Sequence, residues 1–217
     1  MPRVHAVILA NGVTMIGQRL QQIVDAGIRR VTVVIDPQRS SVRARLLRLL
    51  TMLPPVEVDF IDERDALGEA GALAEIDTGG DAVLLCFADP AIELDLPKLM
   101  SIHEERRQDV TFASHYEHYH LAPGEIRVDG DTVLGYEEWP RKDFLLCSGL
   151  GMFEAPALAV ARALPRPYGV TDLVRALLES GCCVTHWLHG ARSIVDEDAE
   201  QRAMHADAEA IIRRQAG

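Results

Sequence analysis

Residues 4–12 read VHAVILANG and are the stretch that best predicts the fold. An apolar run of this length before Asn11-Gly12 is typical of a strand that is buried on both faces and ends in a turn. Residues 16–26 then carry apolar side chains at helical spacing and stop at Gly27. A buried strand that leads through a short loop into an amphipathic helix is the first unit of an α/β sheet.

The alternation of strands and helices continues to about residue 110. Apolar runs typical of strands lie at 31–35, 56–61 and 82–87, and helical patterns lie at 40–50, at 67–76 and from Pro97 onward. Later segments read as strands at 110–114, 125–128, 132–136, 145–153 and 183–188, with a turn signal at Asp129-Gly130, a helix capped by Thr171 and a last helix opened by Asp196 or Asp198. We therefore predict one α/β domain over residues 1–217, Rossmann-like, with a mostly parallel central sheet and a small β-rich insertion.

Composition excludes some classes of function. The 217 residues contain 33 acidic and 22 basic side chains, a net charge of −11, which disfavours nucleic acid and anionic membrane as partners. No apolar run reaches the ~18 residues that a membrane span needs. The four cysteines form no CxxC pair, which favours a reducing, cytoplasmic location.

The order of the segments resembles the sugar-1-phosphate nucleotidyltransferases, the NTP-transferase family with the nucleotide-diphospho-sugar transferase type of fold. Residues 6–12 (AVILANG) resemble its opening AVILAGG, residues 67–73 (LGEAGAL) resemble LGTAGAL, and residues 148–154 (SGLGMFE) resemble N-(A/S)-G-I-Y-V-F. Residues 87–90 (FADP) lie where the family has NGDV, and residues 137–140 (EEWP) lie where it has EKP. The resemblance implies a nucleotide-binding half over about 1–110 and a sugar or acceptor half over about 111–217.

Members of this family join a sugar phosphate to a nucleoside triphosphate and release pyrophosphate, and they hold the triphosphate with a loop Arg, a Lys and Mg²⁺. The resemblance implies that Asp89 is a catalytic residue and the Mg²⁺ ligand. It also implies a set of substrate-binding residues that line the base and sugar sides of the cleft: Leu9, Gly12, Gly68, Glu138 and Gly149. Lys142 is expected to replace in part the lysine of EKP, whose position Trp139 occupies.

The departures from the family fall on the groups that hold the triphosphate. Three residues separate Gly12 from Ile16, where the family has a long glycine-rich loop, and the first lysine of the chain is Lys98. Arg19 is a candidate substitute for the loop arginine, although it lies within the predicted helix. The second metal aspartate of the family aligns with Ser193. These departures predict a protein that binds a nucleotide, sugar phosphate or nucleotide sugar and in which ordinary nucleotidyl transfer is impaired.

Residues 114–120, SHYEHYH, are the most unusual local sequence. On a strand, His118 and His120 share one face, and His115 and Glu117 share the other. Histidines in this pattern serve as acids and bases or bind a transition metal, and we treat His118 and His120 as catalytic candidates. The alternative is a solvated edge strand with no chemical role.

Three kinds of function stay open from the sequence. The first is an impaired relative that binds ligand, either as a homo-oligomer or paired with an active homologue. The second is an active sugar-phosphate nucleotidyltransferase with a shortened loop. The third is an enzyme that keeps the fold and uses the 115–120 region for a different reaction. Fold alone does not choose among them.

Overall fold

The strands form a seven-stranded sheet and a separate two-stranded hairpin. The computed structural model describes residues 3–9, 16–36, 40–63, 67–68, 70–87, 94–121 and 123–190. Several residues singled out from the sequence therefore lie outside the described residues: Gly12, Asp89, Ser193, Asp196 and Asp198.

Nine strands and five α-helices are described, together with one short 3-10 turn over Gly71–Ala74. The strands are β1 (Val4–Leu9), β2 (Arg30–Ile35), β3 (Glu57–Asp62), β4 (Ala82–Phe87), β5 (Val110–His120), β6 (Glu125–Asp129), β7 (Thr132–Glu137), β8 (Arg141–Phe153) and β9 (Val184–Leu188). The helices are α1 (Ile16–Asp25), α2 (Ser40–Leu50), α3 (Leu96–Arg106), α4 (Ala155–Ala163) and α5 (Val170–Glu179).

The central sheet has the strand order β3-β2-β1-β4-β8-β5-β9. Neighbouring strands are parallel except at β8, which runs antiparallel to both β4 and β5. The prediction of an α/β fold with a mostly parallel sheet is therefore confirmed.

Helices cover both faces of the sheet, which explains why the parallel strands are continuous apolar runs. On one face α1, α2 and α3 pack against alternate strand residues such as Ala6 and Ile8. On the other face the 3-10 turn, α4 and α5 pack against residues such as Val7 and Leu9. Period-two alternation thus divides β1 between two apolar cores.

Some local predictions were wrong. The helix predicted over 67–76 is only the 3-10 turn, because Gly68 has a φ of +80° that a helix does not accept. Helix α5 is capped at Gly169, whose N–H donates to Asp172 at 3.1 Å, and Thr171 lies within the helix. Helix α4 was not predicted.

Strands β5 and β8 are longer than predicted because they pair with each other far beyond the central sheet. The pairing runs from Val110 opposite Phe153 to His120 opposite Arg141. The outer part of this pair is a two-stranded ribbon, and the β6–β7 hairpin connects its two strands. Within the described residues no helix is both long and apolar enough to cross a membrane.

Candidate functional site

The carboxyl ends of β1 and β4 lie beside the middle of β8 at one edge of the sheet. Leu9 lies opposite Phe87, and Cys86 lies opposite Leu150. Because β8 is antiparallel, Gly149 precedes Leu150 toward this same edge. Ligands of open α/β sheets bind outside the carboxyl ends of the strands. The structure therefore brings Leu9 and Gly149, two of the substrate-binding candidates, to the expected edge, two strands apart.

A bulge in β8 marks this edge. The pairing of β5 with β8 shifts between Phe112, opposite Gly151, and Ser114, opposite Cys147, so β8 holds two extra residues here. Gly149 within the bulge has a φ of +71°, a left-handed conformation that glycine adopts without a steric penalty. Bulges next to active sites re-aim side chains, and here the affected side chain is that of Ser148.

Ser148 is fully buried between two histidines. Its Oγ lies 2.8 Å from Nδ1 of His115 and 2.6 Å from Nε2 of His189. Nε2 of His115 lies 3.0 Å from Oε1 of Glu117, and Tyr119 donates its phenol O–H to Oε2 of the same carboxylate. We call these five residues, from Tyr119 to His189, the serine–histidine chain.

Hydrogen bonds and burial set the charges in the serine–histidine chain. Donation from Tyr119 and then from His115 lowers the pKa of Glu117, so this carboxylate is ionised at neutral pH. Burial, with His115 nearby, lowers the pKa of His189 to about 4, so His189 is neutral. Sequence reasoning placed His115 and Glu117 on one face but missed Ser148 and His189, since they meet only through the pairing of distant strands.

His118 and His120 lie on the opposite face of the ribbon, as strand alternation predicts. Nδ1 of His118 lies 2.6 Å from Oδ1 of Asp143, and Nε of Arg141 donates to the same oxygen at 2.9 Å. These two hydrogen bonds, that of Arg141 first, lower the pKa of Asp143. Nδ1 of His120 lies 3.5 Å from the carbonyl oxygen of Trp139.

His118 is far from the bulge. Its strand partner Asp143 lies before Ser148 on β8, at a distance of about 16 Å along the extended strand. The structure therefore does not place His118 and His120 next to Gly149 along the strand, and their catalytic role stays a prediction.

The remaining candidates are distributed over the insertion and the loop before the 3-10 turn. Lys142 donates to both carboxylate oxygens of Glu125, at 2.8 and 2.6 Å. Glu138 is exposed after the end of β7. A Cβ at Gly68 would lie 2.3 Å from the carbonyl oxygen of Tyr168, so this glycine has a packing role whatever else it does.

Arg19 is a cation close to the carboxyl edge. It is buried in α1, where its guanidinium donates to Gln22 at 2.8 Å. Burial lowers its pKa, and its charge acts on the Cys86 thiol, whose own burial raises the pKa to about 12. A buried guanidinium near the last residues of β4 is the feature that keeps Arg19 a candidate for anion binding.

No group of three or more His, Cys, Asp or Glu side chains in the described part of the chain is arranged to bind a metal ion. Asp89, the expected Mg²⁺ ligand, follows the end of β4 by two residues and lies outside that part. The Mg²⁺ site therefore stays a prediction from the sequence.

Comparison with known proteins identifies the family. The model of the nucleotidyl transferase family matches residues 3–181, so this chain belongs to that family. No curated protein sequence matches it.

Solved structures of low sequence identity share the fold. One is a protein named as a glucose-1-phosphate thymidylyltransferase from Bacillus anthracis, in complex with a sucrose, with 14% identity, a TM-score of 0.66 and coverage of 92% of this chain and 93% of that one. HddC from Yersinia pseudotuberculosis has 15% identity and a TM-score of 0.63, with coverage of 93% and 97%. The same protein complexed with GMP-PN has 17% identity, a TM-score of 0.61 and the same coverage.

Proposed function

We propose that this chain binds a nucleotide, a sugar phosphate or a nucleotide sugar at the carboxyl edge of its central sheet. The observation that carries the proposal is the strand register that brings Leu9, Phe87 and Gly149 to one edge in a member of the nucleotidyl transferase family. HddC complexed with GMP-PN supports a nucleotide as the ligand, and the Bacillus anthracis protein in complex with a sucrose supports a sugar-bearing ligand. In this proposal residues 1–110 hold the nucleotide and residues 111–217 hold the sugar.

Nucleotidyl transfer itself is proposed to be slow. Transfer at the α-phosphorus needs cations that neutralise the charge developing on the phosphates. Lys98 is the first lysine of the sequence, Lys142 is paired with Glu125, and Arg19 lies on a helix. Loss of a cationic group at a reacting phosphate costs on the order of several kcal/mol of transition-state stabilisation.

Mg²⁺ is the proposed cofactor, with Asp89 as its ligand from this chain. A hard cation prefers carboxylate and phosphate oxygens, so the bound phosphates would complete its coordination. The described cysteines are all free thiols, which supports the proposed cytoplasmic location.

The proposal is tested by thermal shift with dTTP, GTP, glucose 1-phosphate and UDP-glucose, each with and without Mg²⁺. A probe present at a hundredfold excess over its Kd stabilises the fold by about 2.7 kcal/mol, which raises the Tm by roughly 5–10 °C in a chain of this size. We expect the shift with dTTP or GTP to require Mg²⁺. Absence of a shift with all four probes would contradict the proposal.

Asp89→Asn is expected to weaken Mg²⁺-dependent nucleotide binding about tenfold, because a neutral amide is a poorer ligand for a hard cation than a carboxylate. Isothermal titration with the nucleotide that shifts the wild type measures this change. Asp131→Asn is the matched control, since it removes the same charge from the exposed turn of the β6–β7 hairpin. Equal effects of the two substitutions would refute a specific role for Asp89.

The same samples separate the impaired relative from the active enzyme with a shortened loop. Pyrophosphate release from dTTP or GTP together with glucose 1-phosphate measures transfer directly. Binding without release supports the impaired protein. Release at an ordinary enzymatic rate of about 1 s⁻¹ or more supports the active alternative.

A second candidate function uses His118. The Asp143 carboxylate and the Arg141 guanidinium, at 2.6 and 2.8 Å from its Nδ1, orient the ring and leave Nε2 as the group that would exchange a proton with a substrate. This arrangement supports an enzyme with a changed reaction on the same fold. It requires turnover of a sugar phosphate or nucleotide sugar that His118→Ala abolishes, measured by ³¹P NMR, and turnover that survives the substitution would exclude it.

A further inference from the structure

When His115 and His189 each carry one ring proton, the serine–histidine chain has one consistent direction of proton donation. Glu117 is an acceptor only, so His115 donates to it from Nε2. With one proton on each ring, Nδ1 of His115 then accepts the Ser148 hydroxyl proton, and Ser148 Oγ accepts from Nε2 of His189. Each donor has an acceptor, and both imidazole tautomers are fixed by the partners.

Both ends of the chain are fixed to secondary structure. His189 is held at its backbone, where its N–H donates to the carbonyl oxygen of Ser114 at 2.9 Å. Its ring lies 5.6 Å from the ring of Trp187, which packs against the core beside α1, α2 and α3. At the other end Glu117 is held by Tyr119 on the same strand face. The two histidines therefore approach Ser148 from β9 and from β5, on rigid supports.

The residue that they hold lies in the bulge, next to Gly149. A strand with two unmatched residues and a left-handed glycine lacks part of the ladder that fixes a regular strand. Two hydrogen bonds to a fully buried hydroxyl supply that constraint instead.

We propose that His115 and His189 are positioning residues that fix Ser148, and through it the backbone of Gly149, in the shape that receives the sugar-bearing part of the ligand. This inference rests on the proposed function, since it concerns the same edge of the sheet. It adds two residues to the site that lie outside the motifs by which this chain resembles the family, and it gives them a role through Ser148 rather than in contact with the ligand. Removal of either hydrogen bond should loosen residues 148–150 without unfolding the sheet.

The structure supplies a matched control in a second serine–histidine pair. Ser114 Oγ lies 2.7 Å from Nδ1 of His186 and donates to the carbonyl oxygen of Trp187 at 3.2 Å. This pair also links β5 to β9, but strand alternation puts Ser114 on the face opposite His115, away from the Ser148 hydroxyl. Ser114→Ala therefore removes an equivalent contact and leaves the serine–histidine chain intact.

The first test is hydrogen–deuterium exchange of the full chain without ligand. Ser148→Ala and His189→Phe should raise the exchange rate of the amides in residues 146–151 at least tenfold, and Ser114→Ala should leave it unchanged. In contrast to His189→Phe, His189→Gln should keep the wild-type exchange rate, because the glutamine amide places an N–H donor near the position of Nε2. Wild-type exchange in Ser148→Ala would overturn the proposal.

The second test measures binding of glucose 1-phosphate and UDP-glucose by isothermal titration, well below the Tm of each variant. We expect Ser148→Ala and His189→Phe to weaken binding at least tenfold, with recovery in His189→Gln and no change in Ser114→Ala. Faster exchange with unchanged affinity would make the serine–histidine chain purely structural and would overturn the positioning role. If the wild type binds neither probe nor any nucleotide, the proposed function fails and the positioning role fails with it. The exchange data still show whether the serine–histidine chain fixes the bulge.

A spectroscopic signature separates this arrangement from simple packing. The ¹⁵N chemical shifts of the two imidazoles should report protonated Nε2 and unprotonated Nδ1 at His115, and protonated Nε2 at His189. Ser148→Ala should broaden or shift the Nδ1 signal of His115, since its donor is lost. A protonated Nδ1 on neutral His115 would contradict the direction of donation.

Discussion

Gly68→Ala is expected to lower the free energy of unfolding by about 3 kcal/mol or more. The new Cβ would lie 2.3 Å from the carbonyl oxygen and 2.7 Å from the nitrogen of Tyr168. These are backbone atoms, and the N–H of Tyr168 donates to Leu67 while its carbonyl accepts from Ala70, so the segment cannot withdraw without breaking both bonds. A left-handed φ of +80° adds about 1–2 kcal/mol, and forced displacement of packed backbone adds about 1–3 kcal/mol.

Gly181→Ala is the matched control for this substitution. Gly181 has a φ of +76°, and a Cβ there would meet no atom of the described residues within 4 Å. Gly181→Ala should therefore lower the free energy of unfolding by only ~1–2 kcal/mol, which is the cost of the left-handed conformation for a residue with a Cβ. Urea unfolding of both variants gives the difference, and equal losses would show that Tyr168 does not press on Gly68.

The same pair of variants bears on the substrate-binding role predicted for Gly68. If that glycine is only a packing residue, Gly68→Ala should keep the wild-type affinity for the probe ligands under conditions where it remains folded. Weaker binding in the folded variant, with Gly181→Ala unchanged, would support the predicted contact with substrate.

The parallel part of the fold could be predicted from the sequence because its signals are local. Strands buried on both faces read as apolar runs, so β1, β2 and β4 were predicted within one or two residues of their observed ends. The position of β8 between β4 and β5 has no such signal, since strand pairing joins residues distant in sequence. The outer parts of β5 and β8 are polar and solvated, so the apolar pattern stopped at Ser114 and started only at Leu145.

The candidate site likewise contains residues that local sequence predicts and residues that only strand pairing brings together. Leu9, Gly68 and Gly149 were predicted as substrate-binding residues because they belong to local motifs, and the strand register places two of them at one edge. Ser148 and His189 are 41 residues apart, and nothing in either local sequence indicates that a hydrogen bond of 2.6 Å joins them. The face shared by His115 and Glu117 was predictable from strand period alone, but the serine that completes the chain depends on the bulge.

Acid is expected to destabilise the protein through His189. Its pKa is lowered to about 4 by burial, against about 6.5 in the unfolded chain. Above pH 6.5 the His189 side chain is neutral in both the folded and the unfolded protein, so its protonation does not lower the free energy of unfolding there. As the pH falls from 6.5 toward 4 the unfolded chain takes up a proton that the folded protein excludes, and stability falls by about 1.4 kcal/mol for each pH unit. His5 and His103, whose pKa values burial also lowers, act in the same direction.

Urea unfolding of the wild type and of His189→Gln at pH 7.5 and pH 5.0 isolates this effect, because His5 and His103 contribute equally to both proteins. The lowered pKa of Glu117 confines its own loss to pH values below its usual 4.5. Over this interval His189 alone should cost about 2 kcal/mol. His189→Gln keeps a donor to Ser148 and has no proton to gain, so its stability should fall by about 2 kcal/mol less than that of the wild type between the two pH values. His120→Gln, on the exposed outer ribbon, should retain the full wild-type difference. A wild-type pH dependence in His189→Gln would mean that His189 accepts its proton without unfolding, and that burial does not hold its ring neutral.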